Sequence, residues 1–423
     1  MSVREGYKQT EIGVIPEEWE VEKLGNLAIK MQSGGTPKST NEEYYSGEIP
    51  FVKIDDITTS GKYLSDTKVH ITQEALNSSS AWVVPANSIL YSMYASKGYI
   101  SINTVPVATN QAIMNIIPDE AKINRNFLYQ YLLEIKSKID KFTDQTTQKN
   151  LNAQKVKSFR IPLPPLPEQQ KIAAILTSVD NKIAVIDEQI AKTEQLKKGL
   201  MQKLLSEGIG HTAFKESEIG RIPEGWEVVR LGDIATVKDG THFSPKTKNG
   251  PCKYVTSKNI KFGYFDDSTI SYISQEEHDE IYKRCPVKKG QVLLTKDGAN
   301  TGNVCLNPLD EPFSLLSSVA LLDGEKGTLN NQYLLQWLLS SNGQKNLKGS
   351  MAGQAITRLT LTKISAHKLP LPSFQEQKQI ATILSTADDK LDILREKRSR
   401  YEKLKKGLMQ KLLTGEVRVK ITE

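Results

Sequence analysis

The chain has 423 residues and a formal net charge of +7; this length predicts two to four domains, and this charge favours a polyanion as the large partner, although solvated lysine faces give the same total. Its three cysteines form no CxxC pair, which argues against a disulfide framework or a zinc ribbon and predicts a reducing, cytoplasmic setting. No apolar run reaches the roughly 20 residues of a membrane span, and the start "MSVREGYKQT" lacks the apolar region of a signal peptide.

Three segments of the chain occur twice in the same order, which identifies a tandem duplication. They are "EIGVIPEEWEVEKLGNLA" (11–28) and "EIGRIPEGWEVVRLGDIA" (218–235), "IPLPPLPEQQKIAAIL" (161–176) and "LPLPSFQEQKQIATIL" (369–384), and the identical "LKKGLMQKLL" (196–205 and 404–413). The distance between the copies is far longer than a solenoid repeat of about 20 to 50 residues. Each copy is therefore domain-sized.

Within each copy, the sequence pattern changes at the proline stretch. Before it, short β-prone runs such as "IPFVKI" and "GYISI" alternate with turn clusters such as "QSGGTPKST", and a helical pattern, "RNFLYQYLLEIKSKIDKF" (125–142), follows. This alternation predicts α/β (α+β) globular domains over residues 1–160 and 208–368. The proline stretches open the remaining segments, 161–207 and 369–423.

After each proline stretch, apolar residues recur at spacings of four and three, which keeps them on one face of a long helix. They are Ile172, Leu176, Val179, Ile183, Ile186 and Ile190 in the first copy, and Ile380, Leu384, Ala387, Leu391 and Leu394 in the second. A helix from Glu168 to Ser206 is roughly 58 Å long at about 1.5 Å per residue. A narrow apolar seam needs a partner, and the matching seam is its own duplicate, so the helices are predicted to pair as an intramolecular coiled coil.

The repeated decapeptide contains a glycine at the same place in both copies, Gly199 and Gly407. A glycine inside a helix costs about 1 kcal/mol relative to alanine. Its retention predicts a close backbone approach, either between the helices or to a partner protein. An inherited accident of the duplication remains the alternative.

The frames of the two copies agree, whereas their middles differ in polar residues. "FVKIDDI" stands against "YVTSKNI", so the hydrophobic skeleton survives while the surface is rewritten. This contrast predicts two ligands of one class, with neutral surface drift as the alternative. Lysines neutralise phosphates, and amide, hydroxyl and ring groups read base edges, so we expect DNA at these surfaces.

The candidate DNA-binding residues are denser in the second copy, where the sequence shows only Asp239 opposing them, while the first copy carries Glu42, Glu43 and Glu48 in the matching region. The second-copy candidates are Lys238, Thr241, His242, Lys246, Lys248, Lys253, Lys258, Lys261, Lys296 and Asn300. The first-copy candidates are Lys38, Lys53, Lys97, and Gln148 and Lys149 of the "TTQKN" stretch.

No catalytic or metal-binding motif is found. "SGGTPKST" lacks the spacing of a phosphate loop, and there is neither a His-Glu-x-x-His pair nor the Asp/Asn-Pro-Pro-aromatic tetrapeptide of amino-methyltransferases. The five histidines show no ligand spacing, so no metal site is predicted. "PLPPLP" could serve as an SH3-type ligand, but its return before the second helix favours a structural role.

The order "PExWEVxxLG", variable domain, "IPLPPLPEQQKIA" and long helix ending in "LKKGLMQKLL" resembles the specificity subunit of a type I DNA restriction-modification enzyme, over essentially the whole chain. The resemblance implies that each variable part is a target recognition domain that reads one half of a bipartite, asymmetric target. It also implies that the paired helices set the spacer and dock two modification subunits. No base-reading residue can be transferred, because this part of the family has no fixed motif.

The resemblance further implies that this chain holds no cofactor and is not an enzyme. S-adenosylmethionine is expected on the modification subunits, and ATP with magnesium on restriction subunits, with double-stranded DNA as the shared ligand and no membrane involved. Two similar domains facing one duplex are best related by a pseudo-two-fold axis, which makes the helices antiparallel. A protein–protein adaptor, or a methyltransferase with an unrecognised site, are the alternative functions.

Overall fold

The computed structural model describes residues 4–94, 97–136, 151–246, 249–349 and 358–421. Its internal contacts divide the chain into two compact units. The first unit comprises residues 1–187 and 396–423, and the second comprises residues 188–395. The division runs through the long helices and not through the proline stretches, so each unit combines one globular domain with parts of both helices.

The first unit is built from short strands, short helices, the start of one long helix and the end of the other. Its strands are β1 (Tyr7–Thr10), β2 (Gly13–Pro16), β3 (Glu20–Lys23), β4 (Ala28–Ser33), β5 (Ile49–Val52), β6 (Tyr63–Leu64), β7 (His70–Ile71), β8 (Ile89–Ser92), β9 (Ile100–Asn103), β10 (Ala108–Thr109), β11 (Ile113–Pro118) and β12 (Arg160–Leu163). Its helices are α1 (Ile54–Ser60), α2 (Gln73–Asn77), α3 (Arg125–Ile135), α4 (Ala153–Lys157) and the start of α5 (Leu166–Leu204).

The first unit contains a five-stranded sheet of order β4-β11-β8-β9-β6 and a three-stranded sheet of order β10-β5-β7. Helix α3 is preceded by its N-cap Asn124, whose side chain accepts hydrogen bonds from the backbone of Asn126 and Phe127. It was predicted to extend to residue 142, but residues 137–150 lie outside the described chain. Strand β12 pairs with β3, so the first proline stretch belongs to the domain.

The second unit repeats this plan. Its strands are β13 (Phe214–Ser217), β14 (Gly220–Pro223), β15 (Glu227–Arg230), β16 (Ala235–Asp239), β17 (Cys252–Val255), β18 (Ser271–Ile273), β19 (Val292–Thr295), β20 (Val304–Leu306), β21 (Ser314–Leu315), β22 (Val319–Gly324) and β23 (Lys368–Leu371). Its helices are α6 (Leu231–Ile234), α7 (Gln275–Arg284), α8 (Asn331–Leu339), α9 (Ser341–Gly349), α10 (Leu361–Ser365) and the start of α11 (Phe374–Leu412), together with the end of α5.

The two units share one topology, which accounts for the surviving hydrophobic skeleton. The sheet β16-β22-β19-β20 corresponds to β4-β11-β8-β9, and β18-β17-β21 corresponds to β7-β5-β10. The parallel pairing of Phe51 with Ala108 returns as the parallel pairing of Tyr254 with Ser314. The duplication inferred from the sequence is therefore also a duplication of fold.

The two long helices each have 39 residues, and their apolar seams are covered. All eleven seam positions are buried or half-buried, and the first two of each helix are fully buried in the cores of their own units. In the first unit the neighbouring helix segments run antiparallel. Lys405 Nζ lies 2.6 Å from Asp180 Oδ1, and Arg398 Nε lies 2.5 Å from Asp187 Oδ1. The residue earlier in α11 thus pairs with the residue later in α5, as antiparallel helices require.

Candidate nucleic-acid interface

In the first unit, the candidate residue Lys53 lies at an open cavity of about 620 Å³. The strand pairing of β5 with β7 places Lys68 and His70 at the same cavity, and neither was predicted from the sequence. Their signal was the alternation in "TKVHI", which places them beside the β5 strand only once the pairing is known. Lys38 is exposed nearby in the chain.

The other first-unit candidates remain predictions. Lys97 is half-buried. Gln148 and Lys149 lie outside the described residues, as does Lys248 of the second unit.

In the second unit, several candidate side chains are exposed, whereas others are held by acidic residues. The exposed candidates are Lys238, His242, Lys246, Lys258 and Asn300. Lys253 forms an ion pair with Glu311, and this hydrogen bond raises the pKa of Lys253. Lys261 Nζ lies 3.4 Å from Asp266 Oδ2. The sequence suggested that Asp239 is the sole charge opposing these lysines, whereas Glu311 and Asp266 oppose them as well.

Lys296 is buried against two acidic residues, the buried Asp239 and the half-buried Asp297, and we call these three residues the ion cluster. Its side chain is 2% exposed, and its Nζ lies 3.0 Å from Asp297 Oδ2 and 3.5 Å from Asp239 Oδ2. This burial contradicts the prediction of Lys296 as a DNA contact, because an ammonium enclosed by two carboxylates has no face for a phosphate. A buried lysine is stable only when it is paired in this way.

Thr241 is also buried, contrary to its predicted contact with DNA. Its backbone nitrogen donates to the carbonyl of Leu315, and its Oγ1 accepts from the nitrogen of Phe243 at 3.2 Å. Thr241 therefore fixes the start of the loop that carries the exposed His242.

Three exposed side chains attach to the ion cluster. Arg284, at the end of α7, places Nη2 at 3.3 Å from Asp239 Oδ1, and His242 Nε2 lies 3.6 Å from Asp239 Oδ2. Arg358 places Nε at 3.0 Å from Asp297 Oδ1. Arg284 and Arg358 were not predicted, because nothing in the sequence near them indicates the carboxylates that hold them.

The first unit has no ion cluster at the corresponding positions. The backbone nitrogen of Met93 donates to the carbonyl of Ala112 at 2.9 Å, and the backbone nitrogen of Lys296 donates to the carbonyl of Ser318 at the same distance. Met93 therefore corresponds to Lys296. Ser33 pairs with Met114 in the first unit, and Asp239 pairs with Ala320 in the second, so the strand registers make Ser33 the counterpart of Asp239. The shared scaffold therefore does not need the cluster.

Comparisons with known proteins agree with this architecture. A family model described as the type I restriction modification DNA specificity domain matches residues 16–195 and again 223–403. The type I restriction enzyme MjaVIII specificity subunit of Methanocaldococcus jannaschii is 30% identical over 425 residues, covering 98% of this chain and 97% of that protein. The chain belongs to the DNA specificity subunits of type I restriction-modification enzymes.

A further relative supports the same assignment for this specificity subunit, and a solved structure shows the same fold. The putative MjaX specificity subunit from the same organism is 31% identical over 432 residues, covering 98% of this chain and 97% of that protein. The crystal structure of an S subunit from M. genitalium has the same fold, with a TM-score of 0.63 at 16% identity over 100% of this chain and 99% of that chain.

Family membership confirms that this specificity subunit recognises DNA sequence and is a non-catalytic part of its enzyme. It decides against the protein–protein adaptor and against a free-standing methyltransferase. Among the described residues, no helix is long and apolar enough to cross a membrane.

The repeated decapeptide of the specificity subunit makes the same contacts in both units. Asp180 accepts from Gln130 Nε2 at 2.6 Å and pairs with Lys405 of the second decapeptide. In the second unit, Asp388 accepts from Gln336 Nε2 at 2.9 Å and pairs with Lys197 of the first decapeptide. Both decapeptides also end in two leucines that are buried in a unit's core.

The decapeptide glycines approach nothing in the described chain. A Cβ atom added at Gly199 or at Gly407 meets no atom within 4 Å. Close approach between the two helices is therefore not the reason for either glycine. Contact with a partner protein and inheritance from the duplication remain as explanations.

The start of each long helix is fastened by a glutamate, which is buried in the first unit and half-buried in the second. Glu168 accepts from Trp19 Nε1 at 3.1 Å and from Arg418 Nε at 2.7 Å. In the second unit, Glu376 accepts from Trp226 Nε1 at 3.0 Å and lies 2.9 Å from His211 Nε2. The segments that follow each helix, which carry Arg418 and His211, thus complete the units.

Proposed function

We propose that each unit of this specificity subunit reads one half of a bipartite, asymmetric DNA target. The observation that carries the proposal is the contrast between the two units, which share strand topology and register but differ in charged groups at equivalent positions. Lys296 with its two carboxylates, one of which contacts the exposed Arg358, stands where the first unit has Met93. A common scaffold with different polar surfaces fits two different base sequences.

The long helices form an antiparallel intramolecular coiled coil that sets the spacer between the half-sites. The buried seams and the ion pairs between helix segments inside each unit support this role. At about 1.5 Å per residue, helices of 39 residues are each about 58 Å long.

The outer faces of the helices dock two modification subunits, and restriction subunits join the assembly. Support comes from large apolar side chains that the helix pair leaves exposed, among them Val185, Leu196, Ile393 and Leu404. Leu196 and Leu404 are the same residue of the two decapeptides, which fits one docking surface used twice. S-adenosylmethionine binds to the modification subunits, and ATP with magnesium to the restriction subunits. The three free cysteines fit a reducing cytoplasm.

Methylation-site mapping tests the proposal. DNA of the host with this gene should carry methylated adenines at one bipartite motif, which disappears when the gene is deleted. The purified chain alone should transfer no labelled methyl group, whereas the chain with its modification subunit should. Methyl transfer by the isolated chain, or a continuous motif without a spacer, would contradict the proposal.

A further inference from the structure

The ion cluster of the second unit has an energetic cost that the scaffold does not require. Lys296 and Asp239 are 2% and 4% exposed, so both charges have lost nearly all of their hydration. Replacing a buried ionic group with a well-packed apolar side chain is often neutral or stabilising. The first unit has that apolar side chain, Met93, on the same strand position. The cluster is therefore retained for something other than stability.

The cluster forms ion pairs with two exposed guanidinium groups, and Arg284 also donates a hydrogen bond to Asp239. Arg358 is 56% exposed and Arg284 is 58% exposed, yet each touches a carboxylate of the cluster. Backbone contacts also hold Arg358, because it forms a β-bridge with Asp297 and the next residue donates to the carbonyl of Lys296 at 2.8 Å. A long side chain anchored in this way loses less conformational entropy when it binds a ligand.

The two arginines present different atoms to solvent. Arg284 meets Asp239 through Nη2, one of the two terminal nitrogens that a bidentate contact uses. Arg358 meets Asp297 through Nε, which leaves both terminal nitrogens for a ligand. Guanine presents two acceptors, O6 and N7, on its major-groove edge, and the arginine fork matches them.

We propose that Arg358 reads a guanine in the half-site of the second unit, with Asp297 and the buried Lys296 as positioning residues. The inference rests on the proposed function and names the base that one residue recognises. A backbone phosphate is a poorer ligand for Arg358, since Asp297 cancels much of its charge but leaves its directed donors. Exposed lysines such as Lys238 and Lys258 suit phosphates better.

The test uses the complex of this chain with its modification subunit and maps methylated sites in genomic DNA. The half read by the second unit is the one that stays constant when residues 29–155 are exchanged for those of another specificity subunit. With Arg358→Gln, one G·C pair of that half should become permissive. Discrimination at that pair should fall roughly 5- to 150-fold, the range for a bidentate base contact.

Two further variants separate base reading from charge. Arg358→Lys keeps the charge without the fork and should relax the same base pair, whereas Arg284→Gln should leave the motif unchanged. Unchanged melting temperatures for these surface variants show that the domain remains folded.

An unchanged motif with Arg358→Gln, or an equal loss of methylation at all sites, would overturn this inference and leave the proposed function standing. A wild-type complex that methylates no bipartite motif would overturn both.

Discussion

Replacing Lys296 with methionine, the residue of the first unit, should destabilise the second unit strongly. Among the described residues, the variant leaves Asp239, which is 4% exposed, with Arg284 at 3.3 Å and His242 at 3.6 Å as its remaining ion-pair partners. Removing one partner of a buried ion pair costs about 3 to 5 kcal/mol. Because Asp239 retains the cationic Arg284 as a neighbour, we expect the low end, about 3 kcal/mol.

The same methionine should be tolerated when the carboxylates are removed with the lysine. The triple variant Asp239→Ser, Lys296→Met and Asp297→Tyr installs the first unit's residues Ser33, Met93 and Tyr94. It removes the buried charges together, so its stability should lie within about 1 kcal/mol of the wild type. The difference between the two variants isolates the burial of unpaired charge from the change in packing.

Hydrogen exchange by mass spectrometry measures the effect within the intact chain. Amides of β19 and β22 should exchange about 150-fold faster in Lys296→Met than in the wild type, which corresponds to about 3 kcal/mol. Amides of β8 and β11 in the first unit serve as the internal reference and should not change. Equal protection of β19 in the single variant and in the wild type would refute the reasoning, as would a triple variant no more stable than the single one.

Three further predictions address the helices, the units and pH. Gly199→Ala and Gly407→Ala should each raise the unfolding free energy by about 1 kcal/mol, since nothing lies within 4 Å of the added methyl. Weaker binding of the modification subunit to these variants in pull-down titrations would assign the glycines to docking. Exchanging residues 29–155 for those of another specificity subunit should change one half of the methylated motif and keep the other half and the spacer; a change in both halves would contradict independent reading. Burial lowers the pKa of His367 to about 4. Because the unfolded chain takes up this proton at higher pH, the stability of the second unit should fall as pH drops from about 6.5 to about 4. In a series of melting curves at different pH, His367→Gln should flatten this part of the pH dependence.

The features that could be predicted from the sequence are those that repeat or that follow one period. Both long helices were predicted because their seams recur at a fixed spacing, and α5 begins at Leu166, two residues before the predicted Glu168. The duplication predicted a shared topology because equal hydrophobic skeletons bury equal faces. Such signals depend only on neighbours along the chain.

The DNA-facing surface could be predicted only in part, because charge pairing joins distant segments. Lys253 and its partner Glu311 are 58 positions apart, and strand pairing alone brings them together. Lys296 looked like a surface lysine in "TKDGANTG", yet it directly follows β19, whose residues are all buried. No local pattern distinguishes a lysine that is free to bind phosphate from one that neutralises a buried carboxylate.

The identical decapeptides lead to a prediction about half of the molecule. In the first unit, Asp180 pairs with Lys405, and Leu412 and Leu413 fill the core. A fragment ending near Gly210 lacks these residues but carries the same decapeptide, with Lys197 in place of Lys405. A second copy of the fragment can therefore supply the missing contacts.

The fragment should form a two-fold dimer, because each copy completes the other with the same ten residues. Both halves of its target are then read by the same unit, so the fragment with the modification subunit should methylate a palindrome. Light scattering measures the dimer, and methylation mapping measures the target. As a control, the fragment with Leu204→Asp and Leu205→Asp should remain monomeric. These leucines are buried in the core of the second unit, as Leu412 and Leu413 are in the core of the first. A monomeric fragment, or a dimer that methylates the original asymmetric sequence, would show that the two decapeptides are not interchangeable.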